Sequence, residues 1–197
     1  MHRFGKEQGA PHLDECELRV NLGVDNYIFV GSSVDMFAEN IRDIDVCRAL
    51  RHAGDSKNRY LLQSKHPERA LFFFDSFPSS GVIFATAAET NRHYPAVMGN
   101  APPVAERLEE LEKFPTKTMV TVEPIMDFDL LLFSALLGSS GATQFNIVAD
   151  SGHNGLPEPS ADKVRELIAS LRDNTEAKIV LKKNLRRILP EHPLYKE

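Results

Sequence analysis

The sequence predicts an α/β protein built on a parallel sheet, and three observations support this. Short apolar segments alternate with helical patterns at a spacing of roughly thirty residues, as in repeated βα units. The segment Tyr27–Val30 is apolar throughout, which suits a strand buried on both faces. It is followed by Gly-Ser-Ser, and the other apolar segments also end in polar residues. The carboxyl ends of parallel strands are where α/β proteins bind ligands.

The predicted strands are short and apolar, and several are rich in Val, Ile, Phe or Tyr, the residues that favour strands. In chain order they are Tyr27–Val30, Arg59–Gln63, Gly81–Thr86, Thr118–Val122, Gln144–Ala149 and Lys178–Leu181.

The predicted helices lie between these strands and show apolar residues at helical spacing. Their starts carry recognisable signals, such as a proline in the first turn or a serine at the N-cap. Three have predicted bounds, namely a short helix at Cys16–Leu22 and longer ones at Ala38–Ala53 and Pro67–Phe77. Two more are recognised by their starts, one opened by Pro102-Pro103 and one capped by Ser160. The last begins at Leu130, after Asp127 and Asp129, and is predicted to end at Gly138.

Two architectures fit this alternation, an open doubly wound sheet and a partial (β/α) barrel. The chain has neither a GxGxxG turn after its first strand nor a GxxxxGK[ST] loop, which are the nucleotide signatures of doubly wound folds. We therefore expect a parallel, TIM-like partial barrel of about six strands. Residues 1–26 have the composition of a connector, and residues 27–197 form the single expected domain.

Composition excludes several classes of protein. The chain has 197 residues, of which 42% are hydrophobic, and a net charge of -5, so we expect no nucleic-acid binding driven by bulk charge. No apolar run approaches the length of about 20 residues that spans a membrane, and the first residues lack the apolar core of a signal peptide. We therefore expect a cytoplasmic protein. The two cysteines, Cys16 and Cys47, predict neither a zinc site nor a disulfide framework.

Polar side chains after the strands supply the candidate site. Glu123 directly follows an apolar strand, and the Pro124 after it is expected to keep its backbone extended. Acids from separate strands with His153 could hold a metal, although no HxH or HExxH spacing supports this. Lys65 or Lys182 could form a Schiff base, or Glu123 could be a structural carboxylate paired with one of them. The candidate catalytic residues are Glu123, Lys65, Asp150 and Lys182.

A series of motifs resembles a phage-associated, radical-SAM-like family of unknown function. The match runs in register from about Arg3 to Leu189, and the combination is more specific than any one motif. The motifs are IFVGSSVDMF (28–37), YLLQSKHPERAL (60–71), ATAAETNRHYP (85–95), MVTVEPIMDFDL (119–130), NIVADSGHNGLPEP (146–159) and LKKNLRRIL (181–189).

The resemblance implies a radical-SAM-type partial barrel with a CxxxCxxC motif that holds a [4Fe–4S] cluster next to S-adenosylmethionine. The sequence begins after the point where that motif is expected. We therefore expect the chain to lack the cluster and the family's first strand. It would then be either a fragment of a longer protein or a degenerate relative of the family. By the same resemblance, one turn of the chain approaches the methionine end of the cofactor. The residues of this turn are Gly31, Ser32, Ser33 and Asp35. Lys65, Glu123, Asp150 and Lys182 would then face a substrate of unknown identity.

Three functions remain open at this point. The first is a radical-SAM-like barrel without its cluster, in which S-adenosylmethionine and the [4Fe–4S] cluster belong to full-length relatives. The second is a cluster-independent enzyme that uses acid/base or Schiff-base chemistry. The third is a non-enzymatic phage accessory protein that binds a partner through its open sheet edge. If the chain is an enzyme, its substrate is an unknown small molecule or macromolecule. A homodimer through an exposed sheet edge or the apolar helix 130–137 is a further hypothesis.

Overall fold

The computed structural model describes residues 11–79, 81–152 and 154–195, and these form a parallel six-stranded sheet with helices. Each strand pairs with the next one along the chain, so the order contains none of the reversals that define doubly wound sheets. The prediction of a parallel α/β fold is confirmed. The strands are β1 (Tyr27–Val30), β2 (Arg59–Gln63), β3 (Val82–Ala87), β4 (Lys117–Val122), β5 (Gln144–Ile147) and β6 (Lys178–Leu181).

The predicted helices are present with shifts at several ends, and one short helix, Pro95–Met98, was not predicted. Short 3-10 turns lie at Glu17–Arg19, Phe74–Ser76, Lys183–Arg187 and Pro193–Tyr195. The α-helices are α1 (Asp43–Gly54), α2 (Pro67–Phe72), α3 (Pro95–Met98), α4 (Val104–Glu112), α5 (Leu130–Ser139) and α6 (Ala161–Asn174). No helix within the described part of the chain is long and apolar enough to cross a membrane.

The helices pack on one face of the sheet. Leu62, Phe84 and Val120 project to this face and share one apolar cluster with the buried stripes of the helices. The alternate positions, including Ala85 and Met119, lie on the opposite face and outside that cluster, although they too are buried. The sheet therefore has a helix-covered face and a second face on which apolar residues alternate with small and polar ones.

Helix α1 begins later than its apolar pattern predicted. The sequence predicted a helix over Ala38–Ala53, but Arg42 has extended backbone angles and the helix begins at Asp43. The side chain of Arg69 donates hydrogen bonds to the carbonyl oxygens of Ala38 and Ile41, which holds this stretch in another conformation. A long-range contact therefore overrides the local helical preference.

Helix α5 exposes part of its apolar surface. Phe133 and Leu137 are buried, whereas Leu131 is 83% and Leu132 63% exposed. Gly138, predicted to end this helix, lies inside it, and Ser140 is the C-cap. A homodimer through this surface or through the edge strand β1 stays a prediction.

Candidate functional site

A cavity of about 250 Å³ lies at the carboxyl ends of β1 and β2. The sequence-predicted residues Gly31, Ser32, Ser33, Asp35 and Lys65 all line it. Glu123, Asp150 and Lys182 are not among its lining residues. The remaining residues that surround the cavity are Phe29, Val34, Gln63, Ser64 and Ala87.

Glycine is required at the start of the turn that forms one wall of the cavity. Gly31 has φ +71°, a left-handed conformation that other residues adopt at a cost. A Cβ atom at this position would lie 2.9 Å from the carbonyl oxygen of Val34. That carbonyl belongs to a turn closed by a hydrogen bond from the Val34 N–H to the Gly31 oxygen at 3.1 Å, so it has little freedom to move.

Asp35 fastens this turn to the loop after β2. Its carboxylate accepts the backbone N–H of Phe37 at 3.1 Å and that of Lys65 at 2.8 Å. Both contacts are to the backbone, and the second joins segments 30 residues apart in sequence. Asp35 therefore positions the two walls of the cavity relative to each other.

A buried charge network connects the cavity to helix α4. The Lys65 Nζ lies 2.5 Å from Glu89 Oε1, and Arg107 Nη2 lies 2.8 Å from Glu89 Oε2. Arg107 also donates from Nη1 to the carbonyl oxygen of Ala87 at 2.6 Å. Glu89 is 1% exposed and Arg107 fully buried, whereas the Lys65 side chain is 37% exposed at the cavity. Glu89 thus fixes the cation that faces the cavity.

The charge state of Glu89 follows from these neighbours. Burial acts to raise the pKa of its carboxyl group, because a desolvated charge is unfavourable. Arg107 and Lys65 outweigh burial, and the pKa of Glu89 is lowered from its ordinary value. The carboxylate is therefore charged at neutral pH, between two cations.

The Gly31–Asp35 turn offers hydrogen-bond donors. Within the described part of the chain, the backbone N–H groups and the hydroxyls of Ser32 and Ser33 make no hydrogen bond to a protein atom. Both serines are exposed and line the cavity. Together with the Lys65 ammonium, they form a set of donors suited to an oxyanion such as a carboxylate or a phosphate.

Asp150, a predicted catalytic residue, is used to hold its own loop. Its buried carboxylate accepts the N–H groups of Gly152 at 2.9 Å and of Asn154 at 2.5 Å, and the Asn154 side chain at 2.7 Å. Burial acts to raise the pKa of Asp150, but these hydrogen bonds outweigh it and the pKa is lowered. This arrangement is typical of a structural carboxylate.

We expect Asp150→Ala to lower the free energy of unfolding by about 1–3 kcal/mol, because three donors lose their acceptor. The pKa of Asp150 is lower in the folded protein than its ordinary value of 3.8, so this contribution is present above that pH and is lost as the pH falls below it. Urea denaturation at neutral pH measures the change, with the exposed Glu176→Ala as control. A loss no larger than that of the control would contradict the structural role.

The two other sequence-predicted candidates lie after β4 and β6. Glu123 is half-buried, and its peptide bond to Pro124 is cis. Lys182 is exposed and is the N-cap residue of the turn Lys183–Arg187. His153 lies outside the described residues.

The sequence analysis missed a charged cluster that joins the loops after β3 and β4 to helix α6. Arg92, after β3, binds Asp127 and also Asp129 at 2.6 Å. Lys163 on α6 contacts Asp127 at 2.6 Å, and the Asn91 side chain accepts the Asp129 N–H at 2.8 Å. Hydrogen bonds from Lys163 and Arg92 lower the pKa of Asp127. The aspartates had indicated only a helix start, because their partners are distant in sequence.

Metal-ligand geometry is absent from the described ranges, where no group of three or more His, Cys, Asp or Glu side chains could hold an ion. Cys16 is exposed and Cys47 is half-buried on α1. Comparison of the chain with protein-family models, with curated proteins and with solved structures found no match.

Proposed function

We propose that this chain is a radical-SAM-type partial (β/α) barrel, related to the phage-associated family that it resembles, and that it binds a ligand of the S-adenosylmethionine class. One observation carries the proposal. The turn that the resemblance assigns to the methionine end of the cofactor, Gly31–Asp35, is a wall of the cavity at the ends of β1 and β2.

The sheet supports the barrel part of the proposal. Sequential parallel order is the order of a (β/α) barrel. On the face that the helical cluster leaves uncovered, Ala85, Met119 and Asn146 are each less than a tenth exposed. Such burial favours a curved sheet with this face on the inside.

The donor set at the cavity suits the amino-acid end of such a ligand. The Ser32 and Ser33 N–H groups and the Lys65 ammonium would hold its carboxylate, and Glu89 would hold Lys65 in place. The Phe29 side chain, 42% exposed at the cavity, would contact an apolar part. S-adenosylmethionine supplies an activated sulfonium centre when bound, and these residues would bind and orient it.

An iron–sulfur cluster does not fit the residues present. A [4Fe–4S] cluster is held by cysteine thiolates, and the sequence contains two cysteines, of which Cys16 is exposed and Cys47 lies on α1. The proposal for this chain is therefore ligand binding, with no reaction step assigned to a cluster.

A cluster-independent enzyme is the second candidate, and the Lys65–Glu89 contact beside the cavity favours it. A lysine held by a carboxylate can act as a general acid. The Schiff-base version is less well supported, because nucleophilic attack requires the neutral amine, whereas Lys65 is engaged in an ion pair.

Isothermal titration calorimetry with S-adenosylhomocysteine and methylthioadenosine tests the proposed function. The first compound carries the amino-acid end and the second lacks it. We expect S-adenosylhomocysteine to bind at least about tenfold more tightly, since charge-assisted hydrogen bonds contribute about 1.5–3 kcal/mol. Failure of both compounds to bind the folded chain would contradict the proposal, and equal affinity would contradict the carboxylate assignment.

A further inference from the structure

The sheet face opposite the helices carries partly exposed apolar side chains below the cavity. We call it the inner face. Phe29 on β1, Leu61 on β2 and Ile83 on β3 lie on this face at paired register positions, and none belongs to the apolar cluster under the helices. Phe29 is 42% exposed and lines the cavity, and Leu61 and Ile83 are half-buried. We call these three side chains the apolar floor.

Gln63 lies between the apolar floor and the rim of the cavity. It is the last residue of β2, two positions after Leu61, so it shares the inner face and lies about 7 Å further along the strand. It lines the cavity together with Lys65, which follows two residues later. From the rim downwards, the chain therefore presents a cation, an amide and an apolar surface.

The Gln63 amide is not used to hold the protein together. Neither its oxygen nor its nitrogen forms a hydrogen bond with a described residue, although the side chain is half-buried. The inner-face amides of β5 differ, because Gln144 Nε2 donates to Asn146 Oδ1 at 2.8 Å and Asn146 Nδ2 lies 3.1 Å from Met119 Sδ. An amide carries both donors and an acceptor. Gln63 therefore offers both to a ligand in the cavity.

A ligand of the S-adenosylmethionine class presents its own groups in the matching order. Its carboxylate is at one end, its adenine is at the other, and the ribose lies between them. The two adjacent ribose hydroxyls can each donate and accept, which suits an amide. The flat base suits an apolar surface that contains a phenyl ring. This step rests on the proposed function, because it takes the position of the carboxylate from Lys65.

We propose that Gln63 binds the ribose hydroxyls of this ligand and selects ribonucleosides over their deoxy counterparts. The amide nitrogen donates to one hydroxyl, and the amide oxygen accepts from the other. The adenine lies on the apolar floor. Gln63 is thus a specificity-determining residue of the cavity, in addition to the donors that bind the carboxylate.

Isothermal titration calorimetry with S-adenosylhomocysteine and its 2′,3′-dideoxy analogue tests this proposal. The analogue keeps the carboxylate and the adenine but lacks both hydroxyls. We expect the unsubstituted protein to bind the analogue about five- to tenfold more weakly, since two neutral hydrogen bonds are lost. Gln63→Leu removes the amide at similar volume, and we expect it to bind both ligands with affinities that agree within about twofold, because neither then has these bonds.

Gln144→Leu is the matched control for Gln63→Leu. It removes an amide from the same face of the sheet, at a position that does not line the cavity. We expect it to discriminate between the two ligands as the unsubstituted protein does. Loss of discrimination in both variants would overturn the proposal in favour of a general effect on the sheet.

The outcomes separate this inference from the proposed function. If S-adenosylhomocysteine does not bind the unsubstituted protein, the proposed function fails and the inference fails with it. If it binds but its dideoxy analogue binds equally well, the inference alone is overturned. The inference is also overturned if Gln63→Leu still discriminates, since the ribose is then held by other residues.

The placement of the base is tested with S-inosylhomocysteine, which differs from S-adenosylhomocysteine at the edge of the base. The side chains of Phe29, Leu61 and Ile83 have no polar atoms with which to bind that edge. We therefore expect the two compounds to bind with affinities that agree within about twofold. A larger difference would overturn the placement of the base on the apolar floor.

Discussion

Replacing Glu89 with glutamine is expected to lower the free energy of unfolding by about 3–5 kcal/mol, since this is the usual cost of removing one partner from a buried ion pair. The variant leaves the fully buried Arg107 without a carboxylate. Urea denaturation monitored by circular dichroism measures the change. A loss below about 1 kcal/mol would contradict the view that Glu89 compensates a buried charge.

Lys65→Met is the control for this first prediction. Lys65 is the partly exposed partner of Glu89, and its removal leaves the contact between Glu89 and Arg107 intact. We expect a clearly smaller loss than in Glu89→Gln, because Arg107 still compensates the buried carboxylate and the Lys65 side chain is partly exposed.

The pH dependence of stability is a second test of the charge on Glu89. Its pKa is lower in the folded protein than its ordinary value of 4.5, so its contribution is present above that pH and is lost as the pH falls below it. In Glu89→Gln, stability should therefore fall less steeply on acidification. If the stability of Glu89→Gln fell as steeply on acidification as that of the unsubstituted protein, this would contradict a charged Glu89 in the native protein.

Lys65→Met is also expected to weaken the binding of S-adenosylhomocysteine by about ten- to a hundredfold. The substitution removes the ammonium that faces the cavity and with it a charge-assisted hydrogen bond to the ligand carboxylate. The affinity for methylthioadenosine, which has no carboxylate, should change little. Calorimetry on the folded variant measures both values.

Lys182→Met is the matched control for this binding prediction. It removes the same charge from the rim, at an exposed lysine that does not line the cavity. We expect its affinity for S-adenosylhomocysteine to stay within about twofold of the original, because exposed charges contribute little at a distance. Equal losses in Lys65→Met and Lys182→Met would contradict the localisation of the carboxylate.

The sheet could be predicted from sequence because local patterns specify it. The runs Tyr27–Val30, Arg59–Gln63 and Lys178–Leu181 were predicted with the bounds that they have. Ser160 was recognised as an N-cap, and its side chain accepts the N–H of Lys163. These features depend on neighbours within a few residues, which the sequence displays directly.

The grouping of polar residues at the rim could be predicted only in part. Gly31 to Asp35 and Lys65 share a cavity, as the parallel arrangement of β1 and β2 suggested. Asp150 and Lys182 do not join them, because the rim of a six-stranded sheet is wide and each loop has its own partners. Sequence order gives the edge on which a residue lies, but not its distance from the others.

The partners of the buried charges could not be predicted. Glu89 and Arg107 lie 18 residues apart in sequence, and no local pattern links them. In the structure Arg107 is fully buried and binds Glu89. A long side chain can reach past its helical stripe to a distant carboxylate, and helical periodicity does not show this.

A crystal structure of the chain with S-adenosylhomocysteine bound would show directly whether the cavity binds this class of ligand. We expect the ligand at the carboxyl ends of β1 and β2, with its carboxylate at hydrogen-bond distance, about 3 Å, from Lys65 Nζ and from the N–H groups of Ser32 and Ser33. A ligand bound elsewhere, or one whose carboxylate faces solvent while its adenine occupies the Gly31–Asp35 turn, would contradict it.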